Sequence, residues 1–354
     1  MTDDFSTSES NSPPAVPHRR RPRYSGKHPR RFEEKYKEHD PQRYGDTVAK
    51  VLAAGKTPAG MHRPIMVAEI LEVLAPKPGE LAVDCTLGYG GHAREILARI
   101  QPGGRLLGLD ADPLELPKTE ARLREAGFGP KTFLATRSNF AGLPQALAAA
   151  NLAEADCLLA DLGVSSMQLD DPTRGFSLKL EGPLDMRMNP QRGLPASALL
   201  EKSSPSALTK LLEENADEPR ASELAVALAG RTFPTTTALA AAVRAALPRR
   251  NRKEDELTLR RVFQALRIAV NDEFSALDML LRHLPGCLNA GGRTAILTFH
   301  SGEDRRVKKA FEAGLRDGTY ADIAHEIIRP TPQERHSNPR SAPAKLRWAR
   351  KAHM

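Results

Sequence analysis

Cysteine is scarce in this chain. There are three, Cys85, Cys157 and Cys287, and an odd, scattered set excludes a disulfide framework and offers no zinc spacing. Such usage fits a reducing compartment, so a cytoplasmic location is expected. Long apolar runs are also missing. None approaches the roughly 18 residues needed to cross a bilayer, and nothing at the N-terminus resembles a signal peptide. Neither a membrane nor a metal is therefore expected as a partner. Aromatics make up only 5% of residues, with a single tryptophan, Trp348. No internal repeat is found.

What the chain does have is length and positive charge. Its 354 residues suffice for one large domain with an insertion, or for two domains. The formal net charge of +8 and pI near 9.5 favour an anionic partner, nucleic acid being the commonest. They fit a basic soluble protein with basic tails equally well. Residues 1–57 open with Ser, Thr and Pro and then carry His18-Arg19-Arg20-Arg21-Pro22-Arg23 and Lys27-His28-Pro29-Arg30-Arg31. A segment of this composition is expected to be a disordered basic arm that grips phosphates.

From His62 the pattern changes. Apolar residues from Ile65 to Leu74 recur with helical period, and Leu81 to Thr86 reads as a buried strand. Strands are then expected at Arg105–Asp110, Thr132–Thr136 and Ala155–Leu162, separated by short helical segments. This alternation is that of a parallel sheet with crossover helices. It stops after Gly163. Helices are expected at Pro205–Glu214, Arg220–Ala229, Thr237–Leu247 and, without a break, Leu257–Leu284. The sheet resumes at Gly291–His300 and a helix follows from Glu303 to Ala313. Glu326-Ile327-Ile328 and Lys345–Ala349 are expected to close the sheet as an antiparallel edge hairpin.

Four stretches carry chemistry. The first is Asp84-Cys85-Thr86-Leu87-Gly88-Tyr89-Gly90-Gly91-His92, a strand, a glycine turn and a helix start. Glycines there let backbone approach a ligand. Gly88-x-Gly90-x-x-Ala93 is a weak dinucleotide fingerprint, so a nicotinamide cofactor stays open. Asp84 argues instead for a ligand with an ammonium and a sulfonium, of which S-adenosylmethionine is one. The second is Asp110, at a strand end, where an acid can accept ribose hydroxyls of either cofactor; Asp112 serves better as the following helix cap. The third is Asp161 to Gln168. Ligands bind beyond the carboxyl ends of such strands, so Asp161 should share a crevice with Asp84 and Asp110. The fourth is Arg174-Gly175-Phe176-Ser177 with Gly182 to Met188. Phe176 is a candidate to stack on a splayed base, and Arg174 and Arg187 are candidates to hold phosphates. His300, after the last clear strand, is a candidate to orient substrate or accept a proton. Arg252, Lys253, Arg260, Arg261 and Arg267 make one long helix strongly basic.

These pieces together resemble the bacterial MraW/RsmH family, methyltransferases acting on N4 of a decoding-centre cytosine in 16S ribosomal RNA. The resemblance runs from about His62 to the C-terminus. It is carried by the glycine turn, by Gly104–Asp110, by the long block from Asp161 to Met188, by Phe263-Gln264-Ala265-Leu266-Arg267-Ile268, by Phe299–Arg305 and by Asn338-Pro339-Arg340. It implies an α/β fold, a Rossmann-like class I methyltransferase sheet with an inserted all-helical domain. Residues 58–184 would form the first part of the sheet domain, 185–284 the substrate-recognition insertion, and 285–354 the rest. It implies S-adenosylmethionine as cofactor, held by Gly90, Gly91, His92, Asp110, Phe140, Asp161 and Gln168. It implies 16S ribosomal RNA or the small ribosomal subunit as partner. For such an amine, Asp161 is the first candidate to accept the N–H and localise the lone pair, with Ser165 or Ser166 helping. A monomer and a homodimer are both compatible with it. The chain departs from the family pattern at Leu87, usually Phe, at Gly302, usually Leu, at Asp217-Glu218-Pro219-Arg220, and at Leu257-Thr258-Leu259-Arg260-Arg261, usually His-Pro-Ala-Thr-Arg.

Overall fold

The computed structural model describes residues 64–247 and 252–353, without the side chains of Ser166 and Arg252. The expected arm, 1–57, lies outside them.

The chain first builds one half of a sheet. Helix α1 (Val67–Leu74) precedes β1 (Leu81–Asp84), α2 (Gly91–Ile100), β2 (Arg105–Asp110), α3 (Leu116–Glu125) and β3 (Phe133–Arg137). Then come α4 (Leu143–Ala149), β4 (Ala155–Asp161) and the short α5 (Ser166–Asp170). The strands are short apolar runs buried on both faces, as a parallel sheet under two helical layers requires. Ile70, Leu74, Ile96 and Leu97 cover one face. Leu143 and Leu147 cover the other, with Leu277, Leu280, Val307 and Phe311 from later helices.

Five helices follow: α6 (Ala196–Lys202), α7 (Pro205–Ala216), α8 (Ala221–Leu228), α9 (Thr236–Ala246) and α10 (Arg252–Asn271). Their buried leucines and alanines, among them Leu200, Leu212, Leu224, Leu239 and Leu266, form a core of their own with Phe176 and Leu184. This core opens at Phe176 and closes at Leu266.

The long helix expected at Leu257–Leu284 is two helices, α10 and α11 (Glu273–His283). Asp272 breaks it in the left-handed region at φ 50°. The reason is that the two halves serve different cores: α10 packs into the helical core, while Leu277, Leu280 and Leu281 of α11 pack under the sheet. Apolar periodicity continues across the break and so cannot reveal it.

The sheet is completed by β5 (Leu288–Thr298), α12 (Ser301–Arg316), β6 (Tyr320–Ile323), α13 (Pro332–Ser337) and β7 (Lys345–Lys351). The strand order is β3-β2-β1-β4-β5-β7-β6, parallel except for β7, which is antiparallel to both β5 and β6. The expected hairpin partner of β7 is therefore corrected. Ile328 makes a single bridge to Leu346, and the edge strand is Tyr320–Ile323. Only Tyr320 and Ile323 of that strand are buried, too weak a pattern to read from four residues. The order reverses between β1 and β4, which opens a crevice beyond their carboxyl ends.

Candidate active site

A cavity of about 510 Å³ fills that crevice. One wall is the glycine turn, from Cys85 to His92 without Gly90, and another includes Asp161 to Ser165, Met167 and Gln168. Asp110 and Phe140 line it from the ends of β2 and β3.

The turn works by local chemistry. Asp84 is 1% exposed and accepts hydrogen bonds from the Thr86 backbone N–H (3.0 Å) and hydroxyl. Burial pushes its carboxyl up to about 6, against the pull of His92 and the Thr86 N–H. Asp84 thus lies beneath the turn and not on the cavity wall, and direct contact with a ligand's positive groups is corrected accordingly. Thr86 in turn accepts the backbone N–H of Asp161 at 2.6 Å, joining the ends of β1 and β4. Gly88 (φ 49°) faces open space where a side chain would intrude. Gly90 faces away from the cavity: a Cβ there would meet Thr119 at 2.9 Å, so the glycine lets α2 and α3 approach. Gly91 is on the cavity wall, where a Cβ would meet Pro64 at 2.9 Å.

Asp110 accepts the N–H of Gly88 and that of Asp112, each at 2.8 Å. Desolvation still raises its carboxyl to about 6, the two N–H donors opposing. His92 is 7% exposed, and its Nε2 lies 3.5 Å from Asp161 Oδ2 without a hydrogen-bond partner. A buried, unpartnered imidazole nitrogen, an open carboxylate and a bare glycine turn on one cavity suit a polar, partly cationic ligand. Phe140 begins a short 3₁₀ turn capped by Asn139.

The segment after β4 is held by caps. Ser165 accepts the Gln168 N–H (3.2 Å) and its own N–H donates to Gln168 Oε1 (3.0 Å), a reciprocal capping box. Its hydroxyl oxygen caps the start of α5, and Ser165 lines the cavity. The side chain of Ser166 is not described.

Two expectations in the next block are overturned by burial. Arg174 is 8% exposed; it donates to Asp112 Oδ2 at 2.7 Å and to the carbonyls of Arg187 and Met188. With these donors engaged it has no free face for a phosphate. Phe176 is 6% exposed within the helical core, so no base can stack on it. Arg187 is forked onto Asp185 at 2.8 and 2.7 Å. Burial raises the Asp185 carboxyl, but the Arg187 hydrogen bonds outweigh that and hold it below the ordinary range. His300 caps α12: its Nδ1 accepts the Glu303 N–H, and its Nε2 lies 3.1 Å from Glu303 Oε1. Its ring stands off the cavity wall, whereas Phe299 and Glu303 are on it. Burial raises Glu303, but His300 and Arg267 outweigh it and its carboxyl stays low. The departure at Gly302 has a steric cause, because a Cβ there would meet the Phe274 ring at 2.5 Å.

Sequence reasoning missed Asp112 as a hub. It is 1% exposed; Oδ1 caps Leu114 N–H, while Oδ2 takes Arg174 and Gln168 Nε2 at 2.9 Å. In sequence the capping role alone accounts for the residue, and a partner 62 positions away leaves no local signal. Asn271 was also missed. Its side chain bonds Met188 N (2.7 Å) and Met186 O (2.8 Å), pinning the loop from Gly182 to Met188 against α10.

A seven-stranded sheet with a reversed β7 between β5 and β6, a glycine turn after β1 and an acid ending β2 defines a Rossmann-like class I methyltransferase. Residues 59–352 match the model of the MraW methylase family, and the chain belongs to that family. It is 48% identical over 344 residues to "Ribosomal RNA small subunit methyltransferase H 1" of Lachnoclostridium phytofermentans, covering 95% of this chain and 93% of that protein. It is 49% identical over 343 residues to "Ribosomal RNA small subunit methyltransferase H 2" of Alkaliphilus metalliredigens, covering 94% and 97%. The solved Aeropyrum pernix fibrillarin with bound S-adenosyl-L-methionine aligns over 80% of this chain and 73% of its own, at 11% identity and TM-score 0.37. Family membership makes the enzyme a methyltransferase with S-adenosylmethionine as donor, and the nicotinamide alternative falls away.

Proposed function

We propose that this enzyme methylates the exocyclic N4 amine of a decoding-centre cytosine in 16S ribosomal RNA, acting in the cytoplasm on the RNA or the small subunit. The observation that carries the reading is the single cavity shared by the glycine turn, the Asp161 carboxylate and the outer face of α10. It gives a methyl donor and a target base one space, with an acceptor between them.

S-adenosylmethionine supplies an electrophilic methyl group when bound. In this reading Asp110 accepts the ribose hydroxyls, Phe140 covers the adenine, and His92 and Gln168 border the remainder of the ligand. Gly91 borders the ligand and Gly90 holds the turn's shape from behind. The cytosine amine is a poor nucleophile because its lone pair is delocalised into the ring. Asp161, whose side chain is 25% exposed, accepts an N–H of that amine and so localises the lone pair along the line of attack. The amine's proton then passes to Asp161 or to solvent. His92, 3.5 Å away, is placed to steady the carboxylate. The target base has to be unstacked to reach the cavity. The helical unit, which we assign to residues 176–271 because α11 packs under the sheet, receives the RNA. The relatives' names support this substrate, and so does the net charge of +8.

The test is mass mapping of 16S ribosomal RNA from a strain lacking this enzyme. Loss of one methyl on one cytosine, restored by the wild-type chain but not by Asp161→Ala, is the expected result. An unchanged methylation pattern would remove the reading.

A further inference from the structure

Of the residues first suspected of holding phosphate, Arg174 is buried and Arg187 is forked onto Asp185. If the enzyme takes RNA as proposed, another cation must meet the backbone beside the target nucleotide. Three arginines line the cavity: Arg260, Arg267 and Arg340. Arg267 is forked onto Glu273 at 2.8 and 2.8 Å. Arg340 is forked onto Asp170 at 3.0 and 2.7 Å. Forked arginine–carboxylate pairs are strong and geometrically specific, so neither guanidinium is readily surrendered. Arg260 is different. It is exposed, and it makes no hydrogen bond or ion pair among the described residues.

Its place on α10 adds direction. Lys253, Arg260 and Arg267 are seven residues apart, two helical turns each, so they share one stripe. Arg260 and Arg267 are thus separated by about 10 Å along the axis. The stripe starts at the cavity and runs outward along an exposed flank, where Lys253 is also exposed. The opposite flank of the helix, with Leu259, Val262 and Leu266, is buried.

We propose that Arg260 is the phosphate anchor for the nucleotide entering the cavity, and that the RNA strand leaves along the α10 stripe toward Lys253. The ligand chemistry is a single-stranded ribose–phosphate backbone carrying an unstacked base. The inference rests on the RNA-methyltransferase reading above. It concerns this chain's own residue, since the stretch Leu257–Arg261 is where the sequence departs from the family pattern.

The test uses the full-length enzyme and small ribosomal subunits from a strain lacking it. Methyl transfer is followed over a series of monovalent salt concentrations at fixed magnesium. Arg260→Ala should raise KM for subunits about tenfold, as loss of a charge-assisted contact does, with kcat within about threefold. The slope of log(kcat/KM) against log salt should become shallower by about one. Arg260→Lys should recover most of the affinity, and S-adenosylmethionine affinity by calorimetry should match wild type in both variants. An unchanged KM and salt slope in Arg260→Ala would overturn the anchor while leaving the functional reading in place. A wild-type enzyme that transfers no methyl to these subunits would remove the reading, and the anchor with it.

Discussion

The strand-end crevice and the helical unit are organised differently. In the crevice, carboxylates are met largely by backbone N–H groups close in sequence: Asp84 by Thr86, Asp110 by Asp112 and, 22 residues away, by Gly88. At the helical unit, side chains reach across the chain: Arg174 to Asp112 over 62 residues and Asn271 to Met188 over 83. Backbone donors are fixed once strand, turn and helix form, so the donor site is nearly complete at the level of secondary structure. The substrate side is assembled only when distant segments dock. The Asp112 hub joins the two, because one carboxylate caps the loop after Asp110 and also holds Arg174 and Gln168.

Four measurements would break or sharpen this contrast. The largest effect is expected for Asp161→Ala, which should lower single-turnover methyl transfer by about 10²–10⁴-fold with cofactor affinity within a few-fold; near-normal turnover would remove Asp161 as acceptor. Next is Arg174→Ala. It strands a buried carboxylate at Asp112 and should cost about 3–5 kcal/mol in denaturant unfolding. Arg174→Met with Asp112→Asn should recover part of that, and a loss under 1 kcal/mol would show that the hub does not couple the regions. Leu212→Ala, in the helical core and fully buried, should cost about 2–5 kcal/mol. If the helical unit is thermodynamically separate, a calorimetric scan of this variant shows an early transition that Ile96→Ala, in the sheet core, does not produce.

The smallest effect concerns pH. Asp110 and Asp84 both stand near 6, above the ordinary 3.8, chiefly because burial disfavours their charged forms. The folded protein holds these protons more tightly than the unfolded chain does. Their stabilising contribution is therefore complete below about pH 4 and is lost as pH rises through about 6. Cofactor binding should run the other way, since ionised Asp110 is the better acceptor for ribose hydroxyls. Affinity should fall up to about tenfold from pH 7 to pH 5, and Asp110→Asn should flatten much of that dependence. A wild-type profile that is flat over this range would take Asp110 out of the donor site.

The contrast also accounts for what could be read in advance. Asp110, His92, Phe140, Asp161 and Gln168 all line the cavity; Asp110 and Asp161 stand at strand ends that short-range pattern exposes, while His92, Phe140 and Gln168 were legible only through the family resemblance. Arg174 and Phe176 were read as substrate contacts because residue type suggests chemistry but says nothing of burial. Tyr320–Ile323 went unread because two buried positions in four residues leave no periodic signal. The break at Asp272 was hidden because both helices are apolar on a 3.6-residue period, and the period carries no record of which core it faces.

By itself, the sequence determined the alternation of strands and helices as far as β4, the glycine turn and the three acids that end β1, β2 and β4, together with the family. The first three depend on residues within a few positions of one another, where backbone geometry and propensity decide, and the family on a series of such short motifs along the chain. Only the tertiary structure decided that Asp84 lies beneath the site, that Asp112 rather than a phosphate holds Arg174, and that β7 runs between β5 and β6. It also decided that, of the arginines on the cavity wall, Arg260 alone has no partner among the described residues. Those outcomes depend on burial and on pairing between distant segments, which exist only once the chain has packed.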